Sequence, residues 1–317
     1  MKLGLGCAQL GNLYRAMSDE TAAAIVDAAW SHGVRYFDTA PHYGLGLSER
    51  RLGAALAGRP RDEYVLSTKV GRLLTENPAY AGERDTEGFD VPATLVRQRD
   101  YSRDGVLRSL ESSMTRLGVD RIDIAFVHDA ENHVEEALAG AIPALIELRD
   151  QGVLSGIGLG MNFADVLATF VRRSDVDTIM VAGRYTLLEQ PALDELLPLC
   201  VSRGVSVMAA GVFNSGILAS HTPGSTYNYA DAPAALVDKA RRIAAVCDRF
   251  GVELPAAAIA LPAVHPAVRS VVLGASSVSQ VSANASRAAV AVPPALWQAL
   301  IDEGLLRADT PVLKEIP

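Results

Sequence analysis

The 317-residue sequence is poor in cysteine, in aromatic residues and in positive charge. Its three cysteines, Cys7, Cys200 and Cys247, lie far apart and form no C-x-x-C pair, which excludes a disulfide framework and a zinc ribbon. Lys and Arg number 29 against 37 Asp and Glu, and the net charge of −8 argues against a dedicated nucleic-acid binder. Long apolar runs and a signal peptide are also missing, so we expect a cytoplasmic protein that meets no membrane.

What the sequence contains is an alternation of short apolar runs and longer helical patterns. Strands are predicted at Leu3–Cys7, Arg35–Asp38, Val65–Lys69, Ile122–His128, Ser155–Leu159, Thr178–Ala182, Ser206–Ala210 and Ser270–Leu273. Helices are predicted from Ser18 onward and at Ser48–Leu56, Ser102–Leu117, Glu135–Asp150, Asn162–Arg172, Leu193–Arg203, Ala234–Phe250, Val278–Ala288 and Ala295–Glu303. Several helices are followed by a glycine, the residue that most easily takes the left-handed conformation at a helix end.

Alternation of strand and helix predicts parallel strands joined by right-handed crossovers. We favour one α/β domain over residues 1–317, a (β/α)8 TIM barrel, although an open doubly wound sheet would give the same alternation. Two segments, Gly71–Asp100 and Gly211–Asp231, are longer than a barrel connection needs. Both follow the C-terminal end of a strand, where barrel active sites form. We interpret them as binding loops or lids, with surface insertions as the alternative.

Four polar residues at or just after the ends of apolar strands are the strongest candidates for chemistry: Asp38, Tyr43, Lys69 and His128. A lysine beside Asp38 would satisfy both charges, and its cation would favour the phenolate of Tyr43. Without such help a tyrosine is too weak an acid or base at neutral pH. His128 would hydrogen-bond the oxygen that exchanges its proton with Tyr43. Singly, Lys69 is equally consistent with a solvated rim charge and His128 with a structural residue, but three consecutive strands carrying all four favour a site.

These motifs closely resemble the aldo-keto reductases. The similar stretches are residues 33–44, Thr68-Lys69, Val127-His128, residues 156–162 and residues 261–274. The resemblance implies a nicotinamide cofactor across the C-terminal face of the barrel. It also implies that Tyr43 is the acid–base residue, that Asp38 and Lys69 tune it, and that His128 orients the substrate.

Within the family, residues 13–19 and the pair His128-Asp129 look most like the D-threo-aldose (L-fucose) 1-dehydrogenases and the related pyridoxal 4-dehydrogenases. This resemblance implies oxidation of an aldose such as L-fucose at C1, with pyridoxal oxidation or general aldehyde reduction as alternatives. An alternative of another class is a nicotinamide-binding redox-sensing regulatory subunit, which would not need all four residues. His42 and Asp129 are the predicted substrate contacts. An aromatic content of 6% favours a small polar substrate over one held in a large aromatic cage.

The resemblance also implies three groups of cofactor contacts. Asn162 matches the residue that the family uses on the nicotinamide carboxamide, although Met161 replaces the usual serine and Arg184 is the candidate for a missing glutamine. A plain helix cap is the alternative for Asn162. The loop that covers the pyrophosphate is matched by Gly211, Phe213, Ser215, Gly216 and Leu218. The adenosine end is matched by Gly274, Ser276, Gln280 and Asn284, the last two predicted on the adenine or, alternatively, on a plain exposed helix face.

The stretch after the eighth strand carries no Lys or Arg before Arg287. Relatives that prefer NADP place a cation here, and a dianionic 2′-phosphate without one forfeits a charge-assisted hydrogen bond. We therefore expect NAD to be preferred, or used together with NADP. No metal is expected, because the histidines form no H-x-H or H-E-x-x-H pair. Nothing in the sequence indicates an oligomeric state.

Overall fold

A computed structural model describes residues 2–219, 226–227 and 230–312. Its strands are β1 (Lys2–Gly6), β2 (Tyr36–Asp38), β3 (Val65–Val70), β4 (Arg72–Glu76), β5 (Leu95–Arg99), β6 (Ile124–His128), β7 (Gly156–Met161), β8 (Thr178–Ala182), β9 (Ser206–Ala210), β10 (Thr226–Tyr227), β11 (Ala230–Asp231) and β12 (Val268–Gly274). Its helices are α1 (Asp19–Ser31), α2 (Leu47–Leu56), α3 (Arg103–Leu117), α4 (Val134–Glu136), α5 (Ile142–Asp150), α6 (Ala164–Arg173), α7 (Leu196–Arg203), α8 (Ala234–Arg249), α9 (Leu254–Ala263), α10 (Val278–Ala288) and α11 (Pro294–Asp302).

Parallel strands close into a barrel in the order β1-β12-β9-β8-β7-β6-β3-β2. The ring closes where β1 pairs with β12 from Lys2↔Ser270 to Gly6↔Gly274. All six residues of β7 are buried, as expected for a strand with packed side chains inside the ring and helices outside it. The prediction of a (β/α)8 barrel is confirmed, and every predicted barrel strand is present with its ends shifted by two residues or fewer.

Helix ends follow the sequence signals. The Ser18 hydroxyl accepts a hydrogen bond from the backbone N–H of Thr21 and begins α1, and the Ser102 hydroxyl accepts from Gly105 and begins α3. At the other end of α3, Gly118 caps the helix in the left-handed conformation. Among the described helices, none has the length and apolar character that crossing a bilayer requires.

Several elements differ from the sequence prediction: the predicted helix Glu135–Asp150 is divided into α4 and α5, and the strands β4, β5, β10 and β11 and the helix α9 were not predicted. The segment Gly71–Asp100 contains an antiparallel hairpin, β4–β5, which pairs from Arg72↔Arg99 to Glu76↔Leu95. Helix α9 lies between α8 and β12 and was not predicted, because it is apolar on all sides and shows no amphipathic period. Of the second long segment, Gly211–Asp231, residues 220–225 and 228–229 lie outside the described part of the chain.

The loop between β2 and α2 is held against the loop after β1. Gly44 has φ 62°, and a Cβ there would lie 2.2 Å from the carbonyl oxygen of Gly11. Arg51 on α2 donates to the carbonyl oxygens of Leu10 and Met17, at 2.7 Å each, and so fixes the first loop from the other side. Both loops lie at the C-terminal face of the barrel, which is where the candidate site forms.

Candidate active site

Asp38, Lys69 and Tyr43 meet inside the C-terminal mouth of the barrel. Lys69 Nζ donates to Asp38 Oδ2 at 2.6 Å, to the carbonyl oxygen of Thr39 at 3.0 Å and to Tyr43 Oη at 3.1 Å. The lysine and aspartate side chains are only 2% and 3% exposed, whereas Tyr43 is half-buried and faces the mouth. The structure therefore brings these three predicted residues together in the predicted arrangement.

The carboxylate and the ammonium group are both satisfied. Asp38 Oδ1 accepts from Ser67 Oγ at 2.7 Å, and Ser67 Oγ lies 3.0 Å from Tyr36 Oη. Burial by itself lowers the pKa of Lys69, but the nearby Asp38 and Tyr43 outweigh it and raise that pKa above its ordinary value. Lys69 therefore stays an ammonium group, and its hydrogen bond to Tyr43 stabilises negative charge on the phenol oxygen.

His128 ends β6 and lies beside Tyr43, with ring centroids 5.9 Å apart. Burial, with the positive charges of Arg72 and Lys69, lowers the pKa of His128 well below its usual range, so the ring is neutral at pH 7. Its Nδ1 atom is buried and has no hydrogen-bond partner among the described residues. Its Nε2 atom lies 3.5 Å from Asp129 Oδ2. A neutral imidazole in this place donates one hydrogen bond to a substrate oxygen.

His42 and Phe89 complete the wall of the mouth. The His42 ring lies 5.5 Å from His128, 5.9 Å from Tyr43 and 5.1 Å from Phe89, centroid to centroid. Burial, Arg72 and Arg97 lower the pKa of His42 to about 2, so this ring is neutral as well. The structure thus places the predicted substrate residue His42 at the site. Phe89, from the segment between β4 and β5, was missed by the sequence analysis.

The hairpin β4–β5 brings arginines to the mouth that the sequence analysis also missed. Arg72 Nη2 donates to Asp129 Oδ2 at 2.5 Å, and Arg72 Nη1 lies 3.3 Å from His42 Nδ1. Arg97 donates to the His42 carbonyl oxygen at 2.9 Å and pairs with Asp85 at 2.6 Å. A sequence signal existed only for Arg97, which alternates with Arg99 in β5, whereas Arg72 is the single basic residue of β4. Function as a binding loop stays a prediction for this segment.

Asn162 and Arg184 lie together on the opposite side of the barrel mouth. Arg184 Nε donates to the Asn162 carbonyl oxygen at 2.8 Å, and its Nη1 binds Glu189 and, at 3.1 Å, Tyr227 Oη. Asn162 does not cap the following helix, because α6 begins at Ala164 with Phe163 as its N-cap. Asn162 and Arg184 border an open cleft of about 280 Å³. Contact with a carboxamide stays a prediction for both.

The predicted pyrophosphate loop has an unusual backbone. Positive φ angles occur at Gly211, Asn214, Ser215 and Gly216. The N–H groups of Asn214 and Gly216 donate to the carbonyl oxygens of Gly211 and Phe213. The same Phe213 oxygen accepts from the N–H of Leu218, whose side chain is buried. Contact with a cofactor stays a prediction here.

The residues predicted at the adenosine end occupy different environments. Gln280 is exposed, and its Oε1 accepts from the backbone N–H of Ser276 at 2.7 Å. Asn284 is 8% exposed and lines a small apolar hollow between β1, α1 and α10, so it does not lie on a plain exposed face. Arg15, from the loop after β1, donates to Ser276 Oγ at 2.8 Å. The sequence analysis missed this cation, which lies close to Ser276 only in the fold.

Two orphaned oxygens test whether the site fits a nicotinamide cofactor. Gln9 Oε1 and Asn214 Oδ1 are buried and have no hydrogen-bond partner among the described residues. Gln9 lies against Gly274, where a Cβ would come within 2.5 Å of that oxygen. Buried polar atoms are normally hydrogen-bonded, so these acceptors at the ends of β1, β9 and β12 suit a ligand that brings donors. The carboxamide and ribose hydroxyls of a nicotinamide cofactor bring them, and the residues therefore fit the group.

No cluster of three or more His, Cys, Asp or Glu side chains suited to a metal ion occurs in the described ranges. The Cys7 thiol is buried near Asp38 and Lys69, and burial raises its pKa. It is therefore a protonated core residue under ordinary conditions.

A sequence model described as "Aldo/keto reductase family" matches residues 2–300. A D-threo-aldose 1-dehydrogenase from Pseudomonas sp is 50% identical over 309 residues, covering 96% of this chain and 94% of the relative. A pyridoxal 4-dehydrogenase from Microbacterium luteolum is 40% identical over 322 residues, with the same 96% and 94% coverage.

Solved structures resemble the fold over nearly its whole length. The aldo-keto reductase AKR11C1 from Bacillus halodurans, in its holo form, has a TM-score of 0.72 and 27% identity, with 98% of this chain and 93% of that chain covered. The glycerol dehydrogenase AKR11B4 from Gluconobacter oxydans has a TM-score of 0.73 at 20% identity, with 99% and 93% covered. At that identity the second similarity concerns the fold alone.

Proposed function

Because the chain belongs to the aldo/keto reductase family, in which it is an NAD(P)-dependent oxidoreductase of small substrates, we propose that it oxidises an aldose such as L-fucose at C1. The observation that carries the proposal is the hydrogen bond of 3.1 Å from Lys69 Nζ to Tyr43 Oη at the open mouth of the barrel. The choice of an aldose is supported by the 50% identical D-threo-aldose 1-dehydrogenase.

The residues divide the reaction among themselves. A bound nicotinamide would supply the acceptor for the hydride of the substrate carbon. Tyr43 Oη takes the proton of the substrate hydroxyl. Before this transfer Tyr43 is a phenolate, and the Lys69 ammonium group stabilises its negative charge. Asp38 holds Lys69 charged and in place through the contact of 2.6 Å. We place the proton of neutral His128 on Nε2, the nitrogen nearer to Asp129, from which it donates to the substrate oxygen and orients it.

The role of Tyr43 is tested by Tyr43→Phe, which keeps the ring and removes the hydroxyl. We expect kcat/KM to fall roughly 10²- to 10⁴-fold while the Kd for the cofactor changes less than about threefold. Tyr80→Phe, at a tyrosine that is 41% exposed, is the matched control and should leave both unchanged. Wild-type turnover by Tyr43→Phe would remove Tyr43 from the acid–base role.

The substrate is tested by steady-state kinetics with L-fucose, D-arabinose, L-galactose, pyridoxal and simple aldehydes. We expect the highest kcat/KM with an aldose. The second candidate is pyridoxal 4-dehydrogenation, favoured by the relative that is 40% identical. A higher kcat/KM for pyridoxal than for every aldose would establish that candidate instead. A redox-sensing regulatory subunit is the third, and turnover that depends on Tyr43 would speak against it.

For the cofactor we propose that NAD is preferred or used together with NADP. The first basic residue after β12, Arg287, is paired with Glu253 at 2.8 Å, which supports the expected lack of a cation for a 2′-phosphate on α10. Arg15 at Ser276 supports dual use, because it supplies one cation from another loop. Titration of the protein with each cofactor, followed by nicotinamide fluorescence, measures the two Kd values. A Kd for NADP far below that for NAD would contradict the proposal.

We propose a cytoplasmic location as well. All three cysteines are free and buried, which is the usual state of thiols in a reducing compartment. Fractionation of the native host cells tests this proposal, and recovery of the protein in an extracellular or membrane fraction would contradict it.

A further inference from the structure

Asp129 has a backbone conformation that non-glycine residues rarely adopt, and its neighbours hold it there. Its φ angle is 46°. Its N–H donates to the Gly160 carbonyl oxygen at 3.1 Å. Its own carbonyl oxygen accepts from Arg99 Nη1 at 2.9 Å and from Tyr101 Oη at 3.2 Å. Aspartate tolerates this region better than most residues, and the three hydrogen bonds fix its backbone there.

The imposed backbone places the Asp129 carboxylate next to His128. Asp129 Oδ2 lies 3.5 Å from His128 Nε2, longer than a good hydrogen bond, so the Nε2 proton remains available to a substrate oxygen. The Asp129 side chain is 27% exposed, and the carboxylate is therefore accessible from the mouth. Burial raises the pKa of Asp129 and Arg72 opposes that effect.

Arg72 fixes the carboxylate from the hairpin side. Its Nη2 donates to Asp129 Oδ2 at 2.5 Å, and its Nη1 lies 3.3 Å from His42 Nδ1 and 3.5 Å from Glu87 Oε2. The Arg72 side chain is only 11% exposed, so these contacts define where its guanidinium group lies. Arg99 on β5 and the following Tyr101 thus hold the backbone of Asp129, and Arg72 on β4 holds its carboxylate.

We infer that Asp129, positioned by Arg72, binds the hydroxyl group on the substrate carbon next to the reacting carbon. A substrate oxygen bound to His128 Nε2 brings a vicinal hydroxyl within reach of the carboxylate, because the two oxygens of a gauche diol lie within hydrogen-bonding distance of each other. A hydroxyl donating to a carboxylate makes a charge-assisted hydrogen bond. The site then selects substrates with an α-hydroxyl, such as an aldose with its C2 hydroxyl, and this inference rests on the proposed function.

A substrate without the α-hydroxyl covers the Asp129 carboxylate without offering it a hydrogen-bond donor. Sites built to hydrogen-bond a hydroxyl discriminate strongly against the analogue that lacks it, because their own polar group then loses its partner. D-arabinose and 2-deoxy-D-ribose form the test pair, since the second is the first without its 2-hydroxyl. We expect wild-type kcat/KM to favour D-arabinose roughly 10- to 100-fold.

The first experiment compares Asp129→Asn with wild type on both sugars. We expect the ratio of kcat/KM for D-arabinose to kcat/KM for 2-deoxy-D-ribose to fall roughly 10- to 100-fold, because only D-arabinose loses a hydrogen bond to the carboxylate. Glu135→Gln is the matched control, because Glu135 forms a surface ion pair with Arg173 and is 77% exposed. It should leave both sugars unchanged. An equal loss on both sugars in Asp129→Asn overturns the inference.

The second experiment tests Arg72 as a positioning residue. Arg72→Met should lower the preference for D-arabinose as Asp129→Asn does, and Arg72→Lys should restore part of it because the charge remains. A purely structural role would lower kcat/KM for both sugars alike, without rescue by lysine, and would overturn this part. The Asp129→Asn comparison decides the inference even where Arg72→Met does not fold.

The outcomes separate the inference from the proposed function. Oxidation of both sugars by the wild type with equal kcat/KM leaves the proposed function standing and overturns the inference alone. Oxidation of neither sugar, together with aldehyde reduction that Tyr43→Phe abolishes, overturns both.

Discussion

Lys69 carries two tasks that are chemically distinct. Its ammonium group binds Asp38 at 2.6 Å and Tyr43 at 3.1 Å inside a barrel mouth where it is almost fully buried. Burying such a pair costs desolvation that its attraction only partly offsets, so the pair is a weak explanation for stability. Its value lies in the raised pKa of Lys69, which keeps a cation next to the phenol oxygen at neutral pH.

The two neutral histidines of the mouth make stability depend on pH. Burial, followed by Arg72, lowers the pKa of both His42 and His128 below the value of about 6.5 that an unfolded histidine has. Below that pH these two histidines bind protons in the unfolded chain but stay neutral in the folded chain. The free energy of unfolding therefore falls as pH falls, by about 1.4 kcal/mol per pH unit for each histidine, and is unaffected above about pH 7.5.

Urea unfolding between pH 7.5 and pH 4.5 measures this slope. We expect His42→Gln and His128→Gln each to make it shallower by about 1.4 kcal/mol per pH unit below pH 6. Both side chains are well shielded, with 14% and 8% exposed, so solvent screening is small. Slopes parallel to that of the wild type in both variants would show that the rings protonate in the folded protein.

At the residue scale, the site residues that could be predicted from the sequence are those whose polarity differs from that of their apolar neighbours. Asp38, Lys69 and His128 are polar groups at the ends of apolar strands, and such an exception is visible in one dimension. Arg72 lies in a stretch rich in charge, where one more arginine attracts no attention. Its partner Asp129 is 57 residues away along the chain.

At the scale of elements, the loop that carries Tyr43 depends on the close approach of two backbones. Gly44→Ala would put a Cβ at φ 62° and 2.2 Å from the Gly11 carbonyl oxygen. The loop must then move, and we expect kcat/KM to fall at least roughly 10-fold because a shift of about 1 Å at a catalytic group has effects of that order or larger.

Gly58→Ala is the matched control for that prediction. Gly58 also has a positive φ, 82°, but no atom lies within 4 Å of the Cβ that alanine would add. We expect Gly58→Ala to lower the free energy of unfolding by about 1 kcal/mol, because an L-residue is disfavoured at positive φ, and to leave kcat/KM unchanged. Stopped-flow or steady-state turnover with thermal unfolding of both variants provides the measurement. Equal turnover by the two variants would contradict a positioning role for Gly44.

Helices were predictable from the sequence where one face is buried and the opposite face is exposed to solvent. The barrel strands, which are short apolar runs, and the helices that begin at a capping residue, such as α1 and α3, were predicted from the sequence. Helix α9 is buried all round, from Leu254 to Pro262, and a helix without a polar face has no period to read. The hairpin β4–β5 was missed for the opposite reason, because its residues are mostly exposed or half-buried and show no apolar face.

At the scale of the whole molecule, closure of the barrel joins Arg15 to Ser276, which are 261 residues apart. We expect Arg15→Ala to raise the Kd for NADP about 5- to 10-fold and to change the Kd for NAD less than about threefold, since only NADP carries the additional phosphate. Arg287→Ala, at an arginine already paired with Glu253, should leave both Kd values unchanged. Titration with each cofactor measures them, and parallel changes for the two cofactors would exclude Arg15 from the 2′-phosphate.

The contact between β1 and β12 also sets the order in which the protein is completed. The Lys2 carbonyl oxygen accepts a hydrogen bond from Ser270, which is synthesised 268 residues later. At a synthesis rate of about 5–20 residues per second, one edge of the first strand stays unpaired for roughly 13–54 s. An open strand edge is a template for aggregation. The nascent chain has all four proton-transfer residues once His128 is made, but it lacks the strand that closes the ring until residue 270, 142 residues later. It is in this interval that a chaperone has most to protect.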